Sequence, residues 1–324
     1  MFLGLDSFLK LALFWSYILL WDCQSILVHL ANTMGIQYNF TSVVVFQDFL
    51  KIIISIGMIW HEERPLETLR NNWKLAFYYI LPACLYAIYN TLTFVALSKF
   101  DPSTYFVLLQ VKIVVTALLS VIILKTEITR FQWMAISVIT IGSMLKEGYK
   151  FLALDLDHTA GDYAIVFLQI FLSTFAGIYT EKLLTLIDGP TPSFHNLFLY
   201  IDSVIINILF LTYQGTIREA FSIGNIATLF SPVIITVVIS ASTVGIVTGY
   251  FIRYLGNIMK AIAGAIELWT VSIFSSIIFG YEIHLIDGIA ISLVAVGVWL
   301  YSYGSSTVSK YQPVSKDSSE ITDC

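Results

Sequence analysis

Long apolar runs separated by short polar segments fill nearly the whole chain. A transmembrane helix needs roughly 20 consecutive apolar residues, and most of these runs have about that length. The pattern therefore predicts an all-α integral membrane protein with ten transmembrane helices. The predicted spans are residues 8–31, 41–60, 74–98, 102–124, 131–147, 163–186, 194–213, 228–252, 257–280 and 285–304.

The composition agrees with a membrane protein. Of the 324 residues, 57% are hydrophobic and 12% are charged, and the mean hydropathy is +0.82. These values are far more apolar than those of a typical soluble domain. No small-residue cleavage site follows the first span, so we expect that span to remain attached. The polar segment 306–324 is predicted to be a disordered cytosolic tail.

The lysine and arginine residues predict the orientation of the chain. With the N-terminus in the cytosol, and apart from Lys51, Lys112 and Lys260, ten of the cations fall on the cytosolic face and four on the other face. Because cations favour cytosolic loops, both termini are predicted to be cytosolic. This orientation places the sequon at Asn39 in the first lumenal loop. There it either carries a glycan or stays unused because it lies so close to the membrane.

Two segments repeat one pattern. "EITRFQWMAISVITIG" from Glu127 and "EIHLIDGIAISLVAVG" from Glu282 share Glu-Ile, Ala-Ile-Ser and Gly at equal spacing, at an offset of 155 residues. Five helices per copy is an odd number, so the second copy enters the membrane from the opposite side. We therefore predict two inverted five-helix repeats, residues 1–150 and 151–305, an architecture typical of secondary transporters.

Two lysines are candidates for an anion site. Lys112 lies near the middle of the fourth span, where a cation costs about 2.5 to 3.5 kcal/mol to insert and must face a cavity or a partner. It either pairs with a structural carboxylate or binds an anion, and we favour the anion. Lys260 begins the ninth span, where it either snorkels to the headgroups or joins this site. Glu267, seven residues later, offers Lys260 a counter-charge.

Other polar residues within the spans have simpler interpretations. Asp48 and Lys51 are three residues apart in the second span and are predicted to neutralise each other on one helix face. Glu181 and Lys182 lie near the end of the sixth span, as boundary residues do. No paired-carboxylate, histidine-rich or nucleophile motif is present. We therefore expect neither an enzyme nor a metal or cofactor site.

Aromatic and amide side chains supplement the lysines. Tyr86 and Asn90 are four residues apart, as are Asn196 and Tyr200, and Tyr105 precedes the lysine of the fourth span by seven. These spacings place the members of each set on one helix face. Tyrosines of this kind are often ordinary residues of the membrane interface. Together with the lysines, they suit a ligand with phosphate, sugar hydroxyls and a flat base.

Several stretches carry a family resemblance. They are "YAIYNTLTFVALSKFDPSTYFVLLQVKIVVTALLSVIIL", "RFQW", "AGIYTEKLL", "NLFLY" and "GNIMK", in that order. With them the chain resembles the nucleotide-sugar transporters of the drug/metabolite transporter superfamily. The group in question contains the CMP-sialic acid, UDP-galactose and UDP-N-acetylglucosamine transporters. The similarity covers nearly the whole chain up to the tail.

The resemblance implies a ten-helix antiporter of the Golgi membrane or, alternatively, of the endoplasmic reticulum. It would exchange a cytosolic nucleotide sugar for a lumenal nucleoside monophosphate. Residues at the ligand contacts of the family are Tyr86, Asn90, Tyr105, Lys112, Asn196, Tyr200 and Lys260. Recurrent charged positions are Asp48, Lys51, Glu181 and Lys182.

Three departures from the family leave the ligand preference open. Thr91 stands where relatives have a second asparagine, Gly256 replaces an aspartate, and Glu267 occupies a small, apolar stretch. We favour a UDP-sugar such as UDP-N-acetylglucosamine or UDP-galactose, exchanged for UMP. The alternatives are exchange of CMP-sialic acid for CMP, a transport-inactive scaffold of a glycosyltransferase complex, and an enzyme acting on lipid-linked sugars. Besides lipid, the partners considered are a second copy and a glycosyltransferase, and no nucleic acid.

Overall fold

The computed structural model describes residues 5, 7–36, 38–97, 99–100, 102–148, 159–187, 189–280 and 284–311. These residues form α-helices joined by short connections, and no strand occurs among them. The helices are α1 (Phe8–Thr33), α2 (Phe40–Trp60), α3 (Pro65–Asn71), α4 (Leu75–Leu97), α5 (Pro102–Leu109), α6 (Lys112–Leu124), α7 (Arg130–Gly148), α8 (Ala160–Leu186), α9 (Pro192–Tyr213), α10 (Ile217–Ala220), α11 (Ile223–Leu229), α12 (Pro232–Phe279) and α13 (Leu285–Tyr311).

Eight helical segments of the described residues are long and apolar enough to cross a membrane. The predicted all-helical membrane fold is therefore confirmed. α7 is not one of the eight: it has 19 residues, begins at Arg130 and carries Lys146 near its end. The short helices α3, α10 and α11 lie in polar connections. α13 continues to Tyr311, beyond the predicted end of its span. The rest of the predicted tail, 312–324, lies outside the described residues, as do 149–158 and the Glu282 end of the repeat.

α12 is 48 residues long and covers both the eighth and the ninth predicted spans. At 1.5 Å per residue it would extend roughly 72 Å, more than twice the thickness of the hydrocarbon core. Its helical geometry fails at Gly256 alone, where φ is 79° and ψ is 171°. Only glycine adopts such angles at low cost. A single residue thus takes the place of the loop that the apolar pattern predicted between 252 and 257.

The fourth predicted span is also interrupted. α5 ends at Leu109 and α6 begins at Lys112. Between them the amides of Gln110 and Val111 donate to carbonyls three residues back, each at 3.1 Å. This is the tighter hydrogen bonding of a 3₁₀ turn. As a result, Lys112 occupies the first turn of α6.

The largest buried cluster joins α1, α6, α7, α12 and α13. Within it, two glycines allow α7 and α13 to pack closely. A Cβ atom on Gly142 of α7 would lie 3.0 Å from Leu293 and from Val294 of α13. A Cβ atom on Gly297 of α13 would lie 2.5 Å from Ile139 of α7. The two helices run antiparallel, and each contributes one glycine to the contact.

Candidate functional site

Lys112 lies on the inner side of α6. The buried Thr116 and Ser120 follow it at helical spacing, whereas Leu118 and Ile122 on the opposite side are exposed. The side chain of Lys112 is nevertheless exposed. An exposed side chain beside the buried side of a membrane helix indicates a hollow within the bundle. The lysine therefore faces this hollow, as its cost in lipid requires.

Lys260 lies in the first turn after the break in α12 and is half-buried. Its charge interacts with those of Lys112 and Glu181. The structure thus brings together the two lysines that the sequence singled out, from helices far apart in the chain. Among the described residues, neither ammonium group has an ion-pair or hydrogen-bond partner. Two like charges held close and unpaired form a site suited to an anion.

Glu267 lies near Lys112 rather than Lys260. It interacts electrostatically with Lys112, Asp22 and Lys146, and the Ser25 hydroxyl donates to its Oε1 at 3.4 Å. The predicted relation, in which Glu267 neutralises Lys260, is thus replaced by one with Lys112. The reason is length: seven residues along a helix separate two side chains by about 10 Å even when they share a face.

Glu181 stabilises the break in α12, a role that its position near the end of the sixth predicted span did not indicate. Its Oε2 accepts hydrogen bonds from the backbone amide of Asn257 at 2.8 Å and from the Asn257 side chain at 2.9 Å. The Asn257 side chain also donates to the Gly177 carbonyl at 2.7 Å. A carboxylate thereby satisfies the amide that the break at Gly256 leaves without an intrahelical partner. Glu181 thus holds the turn that carries Lys260.

Asp48 and Lys51 pair as predicted, with 2.9 Å between Lys51 Nζ and Asp48 Oδ1. Both residues are buried. The Ser203 hydroxyl donates to the other carboxylate oxygen at 2.6 Å, and the ammonium lies 4.7 Å from the centre of the Tyr200 ring. Gly245 of α12 makes room, since a Cβ atom there would lie 2.9 Å from Lys51 Nζ. The charge of Lys51 is thus compensated by the Asp48 carboxylate and by the Tyr200 ring.

Asn196 and Tyr200, which the family resemblance places at the ligand, are buried against α12. The Asn196 amide donates to the Ile246 carbonyl at 3.3 Å. Gly249 packs against this amide so closely that a Cβ atom would overlap it. Gly245 and Gly249 of α12 therefore accommodate these polar side chains of α9.

Tyr105 belongs to a buried polar cluster between α4, α5 and α8. Gln169 Nε2 donates to the Tyr105 hydroxyl at 2.5 Å and to the Thr93 hydroxyl at 2.7 Å. A spacing of seven residues places two side chains on one face only within a continuous helix. Because the chain is interrupted after Leu109, Tyr105 belongs to α5 and Lys112 to α6. Sequence reasoning missed Gln169. A lone glutamine inside the sixth apolar run was the available signal, because a buried amide must find partners.

Tyr86 and Asn90 of α4 are half-buried. Tyr86 interacts electrostatically with Tyr17 of α1 and with Tyr200 of α9. Asn90 has no hydrogen-bond partner among the described side chains, so its amide is free to meet a ligand. Tyr17, which the sequence gave no reason to select, also interacts with Glu267. Tyrosines of three helices, Tyr17, Tyr86 and Tyr200, thus lie close enough together to interact electrostatically.

Two remaining predicted residues lie apart from this region. Asn39 caps α2, where its side chain accepts from the Ser42 amide at 3.1 Å. Lys182 is half-buried, and no ion pair or hydrogen bond of its side chain is found among the described residues.

The chain is similar in sequence to known proteins over most of its length. A family model described as "Nucleotide-sugar transporter" matches residues 6–302. The chain is 28% identical to the UDP-galactose transporter senju of Drosophila melanogaster, covering 90% of this chain and 84% of that protein. It is 27% identical to CMP-sialic acid transporter 1 of Arabidopsis thaliana, over 87% and 86% respectively. It is 30% identical to UDP-galactose translocator 1 of Caenorhabditis elegans, over 75% and 72%.

A crystal structure with 12% sequence identity superposes on the chain with a TM-score of 0.63, covering 90% of this chain and 97% of that one. At such low identity the match shows the fold alone. The family model, in contrast, matches almost the whole apolar part of the chain. The chain is a multi-pass membrane protein and belongs to the nucleotide-sugar transporter family.

Proposed function

We propose that the protein exchanges a cytosolic UDP-sugar, such as UDP-galactose or UDP-N-acetylglucosamine, for lumenal UMP across the Golgi membrane by alternating access. The observation that carries this proposal is that the ammonium groups of Lys112 and Lys260 lie at one internal hollow and have no partner among the described residues. Cations are costly within a membrane unless they face a cavity or a partner. Phosphate oxygens supply that partner as the ligand enters.

The nucleoside would be held by the polar side chains around this hollow. Tyr86 and Asn90 are half-buried, and the Asn90 amide is unoccupied. Asn196, Tyr200 and Tyr105 are buried in this state. We infer that they form the wall behind the nucleoside. The sugar then occupies the remaining, less constrained part of the hollow.

Two similar halves of opposite orientation can exchange conformations and so provide alternating access. The packing of α7 on α13 supports such halves. At the offset of 155 residues, Gly142 corresponds to Gly297 and Ile139 corresponds to Val294. Gly142 contacts Val294, and Gly297 contacts Ile139. Such a reciprocal contact is the signature of a twofold axis. We therefore propose ten spans in two inverted repeats, residues 1–150 and 151–305, with both termini in the cytosol.

Uptake into proteoliposomes tests the exchange. Vesicles preloaded with UMP, CMP, GMP or no nucleotide are supplied with labelled UDP-galactose or UDP-N-acetylglucosamine. We expect UMP inside to stimulate uptake most strongly. A leaving ligand would otherwise strand unpaired cations in a closing gate, so the empty carrier reorients slowly. Equal uptake whatever the internal nucleotide would refute the exchange.

Exchange of CMP-sialic acid for CMP is the second candidate, favoured by the name of the Arabidopsis relative. The same vesicles separate the two ligands. Stronger stimulation by CMP than by UMP, with labelled CMP-sialic acid outside, would select this candidate.

A further inference from the structure

Lys112 and Glu267 are equivalent positions of the two repeats. The offset of 155 residues that relates Glu127 to Glu282 also carries Lys112 onto Glu267. The same offset carries Gly142 onto Gly297, and those glycines make reciprocal contacts between α7 and α13. Lys112 and Glu267 interact electrostatically across the hollow. The repeat thus sets a carboxylate opposite the central ammonium group.

Glu267 interacts with charged or polar groups of three other helices. Asp22 and Ser25 come from α1, Lys112 from α6 and Lys146 from α7. Asp22 is 1% exposed. Its Oδ1 accepts from the Thr270 hydroxyl at 2.9 Å, whereas its Oδ2 has no hydrogen-bond partner within the described ranges. Of these groups, Lys112 and Lys146 attract the Glu267 carboxylate, whereas Asp22 repels it.

The carboxylate is held loosely. Its only hydrogen bond among the described residues is the 3.4 Å contact with Ser25. In the part of the chain that the structure describes, Lys112 forms no ion pair, so its ammonium group interacts with the Glu267 carboxylate without contacting it. Glutamate has a flexible side chain, and its carboxylate, like a phosphate, is an anion that accepts hydrogen bonds from an ammonium group. Glu267 is therefore able to approach Lys112 when no phosphate lies between them.

We propose that Glu267 is a built-in counter-anion that takes the place of the ligand phosphate at Lys112 when the transporter is empty. This inference rests on the proposed function. With Glu267 in place, the empty carrier closes with only Lys260 unpaired instead of both lysines. It still reorients more slowly than the loaded carrier, but fast enough that uptake into empty vesicles is a measurable fraction of the exchange rate. Glu267 also competes with the incoming phosphate.

Glu267→Gln separates these effects. We expect uptake into vesicles without internal nucleotide to fall about tenfold, because Lys112 loses its substitute anion. Uptake into UMP-loaded vesicles should persist, and UMP should bind more tightly because the competing carboxylate is gone. Glu127→Gln is the matched control: this carboxylate is exposed and lies between α6 and α7, so both uptake modes should match the wild type.

Glu267→Asp keeps the charge and guards against a folding defect. It should retain more uptake into empty vesicles than Glu267→Gln. Unchanged uptake into empty vesicles in Glu267→Gln, with exchange intact, would overturn the counter-anion proposal alone. Weaker UMP binding in Glu267→Gln than in the wild type would also overturn it, since a purely structural carboxylate predicts that loss. Absence of any nucleotide-dependent uptake in the wild type would instead refute the proposed function.

Discussion

Two lysines within the membrane helices of this protein have opposite environments. Lys51 is paired with Asp48 at 2.9 Å, lies over the Tyr200 ring and is enclosed by α12. Lys112 faces a hollow, and among the described residues no carboxylate contacts it. Both lysines carry the same insertion cost. For Lys51 the Asp48 carboxylate offsets this cost within the fold. For Lys112 the folded protein provides no contacting carboxylate among the described residues, and a bound anion would offset the cost. The difference separates a structural charge from a site.

The largest expected effect concerns the compensated pair. Asp48→Asn or Lys51→Met alone should lower the free energy of unfolding by about 3 to 5 kcal/mol, because each leaves a buried charge unpaired. The double variant should lose less than the sum of the two single variants. Thermal unfolding in detergent measures these changes, with Lys182→Met as control. Strictly additive losses would show that the two charges do not depend on each other.

Removing the uncompensated charge should affect transport rather than folding. Lys112→Gln is expected to lower kcat/KM for UDP-sugar uptake about 100-fold, because a desolvated phosphate loses its partner. The thermal stability without ligand should stay close to that of the wild type, since the charge that is removed makes no ion pair among the described residues. Near-normal uptake by Lys112→Gln would show that the hollow is not the binding site.

The third prediction concerns Gly249, which lets α12 pack closely against α9 next to the pair of Asp48 and Lys51. Gly249→Ala should destabilise by about 1 to 3 kcal/mol, because the added methyl group overlaps the Asn196 amide behind the neutralised pair. Gly264→Ala is the matched control in the same helix, where nothing lies within 4 Å. It should leave the unfolding temperature unchanged or raise it. Equal behaviour of the two variants would contradict the described packing of α9 on α12.

The smallest effect is expected at the polar cluster of α8. Tyr105→Phe removes one hydrogen bond from Gln169, which keeps its bond to Thr93. We expect a loss of about 1 kcal/mol, measured as a fall in unfolding temperature against Tyr213→Phe, an exposed control. A large loss of UMP affinity at unchanged stability would instead show that the Tyr105 hydroxyl contacts the ligand directly.

Local patterns predicted most of the helices but few of the long-range partners. Apolar runs gave α2 and α9 nearly at their observed bounds, and spacing alone predicted the pair of Asp48 with Lys51. The continuity of α12 through Gly256 could not be predicted, because a glycine marks a break but does not state its length. The hydrogen bond of Glu181 to Asn257 joins residues 76 positions apart. No spacing rule reaches that far.

The central claim is that Lys112 and Lys260 bind the phosphate of the ligand. Its most direct test is the rise in unfolding temperature that UMP produces in the purified wild type, Lys112→Gln, Lys260→Gln and Asp48→Asn/Lys51→Met. Ligand binding stabilises the folded state by mass action. The account predicts a rise in the wild type and in the double variant, and none in either single-lysine variant. An undiminished rise in Lys112→Gln and Lys260→Gln would contradict it.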